Sequence, residues 1–155
     1  AHLGSIWEGT SNIVALDIAR AVTREQALEP LQLFLANLLA EAQLPAASQR
    51  LFEGVLQRTV ARVAEVAHEQ RDEQVRLAGS ALYHIATAIF MAWESSRQAG
   101  DYRRLALAHL LLQHKLLPRD PLSPEPEIEA GLLARLANES PLTQADALQL
   151  LPKTL

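Results

Sequence analysis

Apolar residues recur every three or four positions along most of this chain, and the places where the recurrence breaks divide it into helices. Ile13, Leu16, Ile18 and Val22 form a first apolar face with Asp17 and Arg20 outside it. Ser11 stands just ahead, where a hydroxyl can accept from the free amides of a first turn. After Glu29, Pro30 suits a first helical position, and Leu31, Phe34, Leu35, Leu38 and Leu39 repeat at helical spacing until Pro45 stops the pattern. A longer helix is predicted over 48–70, with Leu51, Val55, Leu56, Val60, Val63 and Val66 inward. The run Glu69-Gln70-Arg71-Asp72-Glu73 has no apolar member and reads as a solvated end or turn. From 74 to 99 the pattern changes character. Leu82, Ile85, Ile89, Phe90 and Trp93 lie among Ala81, Ala86, Ala88 and Ala92, so the helix is apolar nearly all round, as one buried on several sides should be. Gly100 and Asp101 then offer a terminator and a cap for a fifth helix ending near 115.

Residues 118–127, PRDPLSPEPE, hold four of the eight prolines and exclude both helix and central strand. They predict a stiff strap or linker. A short helix follows over 128–138, and Thr143-Gln144-Ala145-Asp146 has the form of a capping box opening a last short helix before Pro152. The expected fold is all-α: an antiparallel bundle of four to five main helices over 1–117, with a Pro-rich strap and short helical tail over 118–155.

Composition narrows the classes. At 155 residues the chain can bury a real core, and its 49% apolar content is dominated by Leu and Ala, which favour helix over sheet. The net charge of −4 disfavours general affinity for nucleic acid or anionic membranes. No uninterrupted apolar run reaches the roughly 18 residues of a membrane span. The absence of cysteine rules out disulfides and thiolate metal sites and fits a cytoplasmic location. The chain opens at Ala1 in the middle of a loop pattern, and its one methionine is Met91, so a piece of a longer protein is expected.

Candidate chemistry gathers at the front. Glu8 sits between Trp7 and Gly9, where an aromatic wall and a close backbone can raise the basicity of a carboxylate and suit it to proton abstraction. Thr10, Ser11 and Asn12 add hydroxyls, an amide and the free N–H groups of a helix start, which favour anionic or polar ligands such as nucleotide phosphates. The same residues also suit a plain glycine-containing turn with a solvated acid and a simple cap.

IWEGTSNIVALDIAR, residues 6–20, resembles the loop and helix start near the C-terminal end of acyl-CoA dehydrogenases. ALYHIATAIFMAWE and LALAHLLLQHKLLPRDPL further resemble the C-terminal extension of a branch linked to the DNA-alkylation response. The resemblance implies an FAD-dependent oxidoreductase of fatty acid metabolism, in which Glu8 is the general base that removes the α-proton of an acyl-CoA thioester. It implies that the Glu8 backbone N–H polarises the thioester carbonyl, that Gly9 approaches the substrate, and that Thr10, Ser11 and Asn12 contact the flavin. Trp7 in place of Tyr and Asn12 in place of Gln depart from many members. An electron-transfer flavoprotein as acceptor and a homo-oligomer, dimer or tetramer, are implied as partners. The flavin and acyl pockets of the family draw on other domains, so these 155 residues alone are expected to fold without binding FAD or turning over acyl-CoA. The alternative is a non-catalytic helical domain of an alkylation-response flavoprotein, acting in DNA binding or oligomerisation.

The remaining candidates are weaker. His109 and His114 are five apart and do not share a helical face as paired ligands would, so no metal site is expected. Trp93-Glu94 repeats Trp7-Glu8 without the glycine and inside a helix, which makes Trp93 a core residue. Arg97, Arg103 and Arg104 read as a solvated helix-end cluster balanced by acids.

Overall fold

The computed structural model describes residues 11–69, 71–118, 122 and 130–152, with the side chains of Ser11, Asn12, Asp72 and Ala130 outside that description. Among the described residues every regular element is a helix: α1 (Ser11–Arg24), α2 (Leu28–Ala42), α3 (Ala46–His68), α4 (Asp72–Ser96), α5 (Arg103–Lys115), α6 (Ala130–Ala137) and α7 (Gln144–Gln149). Short turns join α1 to α4 in sequence, and the five long helices pack as the expected all-α bundle. Most of the 118–127 strap lies outside the described residues.

Helix α4 is the axis. It packs against α5, α3, α2 and α1, which explains its all-round apolar pattern: Leu82, Ile85, Ala88, Ile89 and Ala92 are all buried. Its Glu73–Ser96 stretch is long and apolar enough, by length and composition, to cross a bilayer. Packing against four neighbouring helices buries part of that stretch, while Leu77, Tyr83 and Phe90 on it stay exposed. Where α1 crosses α4, Gly79 carries no side chain, and a Cβ there would stand 3.0 Å from Ile18 Cδ1. The glycine lets the two helices approach.

Several inward positions differ from the periodic expectation. Ile13 and Leu16 are about half exposed; α1 buries Val22 as expected, and Ala15 in their place. Phe34 on α2 and Phe90 on α4 are likewise on the surface, where their rings lie 6.2 Å apart. Trp93 is half-buried, not core, because its indole N–H reaches out to a carboxylate. Pro30 is the third residue of α2, still within the first turn whose N–H groups have no helical partner, so the ring costs no hydrogen bond.

Helix ends also follow their own chemistry. α4 stops at Ser96, short of Gly100, which takes φ +78° inside the following turn. Gln26, Gln43 and Glu139 all adopt the left-handed conformation just past a helix, without the glycine that usually fills such positions. The tail is docked on the bundle. Leu132, Leu142, Ala147 and Leu150 join the same core, and the backbone of Leu142 exchanges hydrogen bonds with Tyr102 N–H and the Asp101 carboxylate. The capping box at the start of α7 is present: Asp146 N–H donates to Thr143 Oγ1, and Thr143 N–H donates to Asp146 Oδ2 at 2.8 Å.

Candidate functional sites

The acid-bearing loop lies outside the described residues, so Glu8, Gly9 and Thr10 have no structural account. Ser11 and Asn12 are the first described residues of α1. Their side chains are among those not described.

Among the described residues, the most enclosed polar group is His109, fully buried on α5. Its Nδ1 lies 3.0 Å from the Ala147 carbonyl oxygen and its Nε2 lies 3.0 Å from Ser48 Oγ. A carbonyl only accepts, so Nδ1 carries the proton and Nε2 accepts from the serine hydroxyl. Burial pushes the imidazole below its ordinary value, and the Ala147 hydrogen bond opposes that only in part. A hydroxyl beside an imidazole base is the pairing that activates serine nucleophiles. Here neither residue reaches solvent, and the far ring nitrogen meets a carbonyl instead of a carboxylate. The arrangement does structural work: one side chain ties α5 to both α3 and the tail helix α7. Sequence reading assigned His109 no more than a structural or surface role, because Ser48 and Ala147 are distant in the chain. His114, on the same helix, is exposed, and no three His, Asp or Glu side chains converge as a metal site among the described residues.

The second cluster is on the surface. Glu41 Oε2 accepts from Trp93 Nε1 at 3.0 Å and from Arg97 Nη2 at 2.9 Å, and the Arg97 guanidinium lies 4.7 Å over the Trp93 ring. This closes α2 onto the end of α4. Both charged side chains are more than half exposed, so solvent screens the pair. Glu41→Gln should therefore change stability by less than about 1 kcal/mol, read as a small shift in thermal melting. A loss several times larger would make the clasp a major support of the fold. Arg103 pairs with Asp101 and Arg104 with Glu94, both at 2.8 Å, so the basic residues of this helix end are matched by acids. Burial alone would raise the Asp101 carboxyl. Hydrogen bonds from the Arg103 side chain and the Arg103 and Leu142 N–H groups hold it below its ordinary value. Asp101 thus caps α5 from one position before the flanking Tyr102, and anchors the tail at the same time.

Several open clefts remain. The roomiest described, about 430 Å³, lies between α1, the end of α3 and the start of α4, and Arg20, Arg24 and His68 are among its lining residues. A smaller one of about 200 Å³ lies beneath the α2–α3 turn, lined by Gln43, Ser95, Ser96, Tyr102 and Gln144 among others. Comparison with family models, with curated proteins and with solved structures finds no match for this chain.

Proposed function

We propose that this chain is the C-terminal helical domain of an FAD-dependent acyl-CoA dehydrogenase, with Glu8 as the general base. The observation that carries the reading is the run Ile6-Trp7-Glu8-Gly9-Thr10-Ser11-Asn12, which resembles the family's base-bearing loop and is continuous in sequence with α1. The all-helical bundle supports it in the coarser sense of fold class alone.

In this reading the Glu8 carboxylate takes the proton from the carbon next to the thioester carbonyl. Removing that proton leaves negative charge on the carbonyl oxygen, and the Glu8 backbone N–H stabilises it there. Flavin does not fit a site made by the described residues. A cofactor site needs polar groups converging from several walls, and the start of α1 is one wall only. FAD and an electron-transfer flavoprotein as its oxidant therefore belong to the proposal for the protein that contains this chain. The reading as a DNA-binding domain gains nothing from Arg97, Arg103 and Arg104, whose charges are matched by Glu41, Asp101 and Glu94.

The test is Glu8→Gln in the flavin-loaded protein that carries this chain. Flavin content should stay the same, while the rate of flavin bleaching by acyl-CoA should fall by about 100-fold or more. Bleaching at the unaltered rate would remove Glu8 from the role of base.

A further inference from the structure

The cleft between α1, α3 and α4 brings basic side chains next to apolar ones. Its floor is apolar, formed by Ala19, Val66, Ala67 and Val75, with Leu16 beside them, and Val66, Ala67 and Val75 belong to the buried core. Its rim carries Arg20, Arg24 and His68, and no acid lines it among the described residues. Arg20 and Arg24 are one helical turn apart, so their guanidiniums project from one face of α1. Neither forms an ion pair among the described residues. Arg62, Arg71, Arg97, Arg103, Arg104 and Arg135 each hold a carboxylate, while Arg50, Arg58 and Arg76, like Arg20 and Arg24, hold none among the described residues. Only Arg20 and Arg24 of these five line this cleft. In a chain with 18 acids against 14 lysines and arginines, two guanidiniums one turn apart, with no carboxylate on either among the described residues, are a local reversal of charge.

A second hollow of about 360 Å³ shares Thr23 and His68 with this cleft and continues past Val22, Leu28 and Val60. It carries one acid, Glu29, and the neutral amides of Gln26 and Gln32. The joint surface therefore offers a cationic end and a largely uncharged extension of it.

Each guanidinium presents a planar pair of N–H donors, which matches two oxygens of a phosphate group. Two such forks and an imidazole suit a dianion with three free oxygens better than a carboxylate, which has two. We propose that this cleft binds a phosphate monoester with an apolar body: Arg20 and Arg24 take the phosphate, His68 takes a remaining oxygen, and the body lies against Leu16 and Ala19, the apolar lining that the core does not seal. The proposal is independent of Glu8, since the cleft lies along the C-terminal half of α1 and involves no thioester.

The 155-residue chain is titrated at low ionic strength with hexyl phosphate, inorganic phosphate and hexanoate, followed by calorimetry and by backbone amide shifts. Hexyl phosphate should saturate, with shifts confined to the second half of α1, the end of α3 and the start of α4. It should bind at least about tenfold more tightly than either comparison anion. The double variant Arg20→Gln/Arg24→Gln replaces two exposed side chains, should melt as the parent does, and should lose at least about tenfold in affinity for hexyl phosphate. Absence of saturation at millimolar hexyl phosphate overturns the proposal, as does undiminished binding by the double variant. Equal affinity for inorganic phosphate would remove the apolar floor from recognition, and equal affinity for hexanoate would remove the phosphate; either result also overturns it.

Discussion

Phe52→Ala lowers the stability of the protein by about 3–5 kcal/mol, seen as a lower urea midpoint with the helical signal of the folded baseline unchanged. Phe52 is the largest of the completely buried side chains among the described residues, on the inward face of α3. Its ring centroid stands 6.0 Å from that of His109, at a tilt of 41°. Removing the ring takes away its transfer from water and leaves a hole beside the one side chain that joins α3, α5 and α7. Domains have total stabilities of about 5–15 kcal/mol, so this one change takes a large share. Phe34→Ala is the matched control. Phe34 is half exposed, so the same truncation removes less buried surface and should cost less. Equal losses at the two positions would contradict the burial that separates them.

Stability also falls as the pH drops below the ordinary histidine value of 6.5, before any carboxylate titrates, and the slope traces in large part to His109. The folded protein holds this imidazole below its ordinary value because burial disfavours the cation. The unfolded chain therefore takes up a proton first as pH falls. It binds more protons than the folded state from about pH 6.5 down to the depressed folded value, and across that window unfolding becomes progressively easier. The stability is fully present above the window and is lost below it. Protonation would also turn Nε2 from an acceptor of the Ser48 hydroxyl into a competing donor. His84 adds to the same slope, depressed first by burial and then by the charge of Lys115. Urea unfolding at a series of pH values reads the slope. His109→Gln keeps an amide donor and acceptor without a titrating group, and should flatten the curve between about pH 7 and 5 to the part left by His84. An unchanged slope in that variant would acquit His109. Further down, near the ordinary carboxylate values, Asp101 and Asp146 act in the same direction. Hydrogen bonds from Thr143 lower the Asp146 carboxyl most, and burial of Asp101 is outweighed by its bonds to Arg103 and Leu142. Asp101 holds the tail to the bundle through Leu142, and Asp146 holds α6 to the start of α7 within the tail, so both the docking and the folding of the tail should weaken with them.

Local sequence determined the helices of this protein, because the forces that start and stop a helix act over a few residues. The apolar repeats placed α3 and α5 within about two residues of their ends, and Thr143 and Asp146 formed the capping box their spacing implied. Three helix ends were less legible, since Gln26, Gln43 and Glu139 turn left-handed where the usual marker is glycine. What the tertiary structure alone decided was which apolar face found a neighbour. Phe52 and Phe34 both fit a helical repeat, yet one is sealed and the other half exposed, because periodicity fixes a face and not what covers it. Trp93 met Glu41 across 52 residues, and Ser48 met His109 across 61, distances at which no local pattern carries information. The unmatched pair Arg20 and Arg24 was hidden for the same reason: a guanidinium is unpaired only with respect to the carboxylates that the folded chain brings near it or leaves elsewhere.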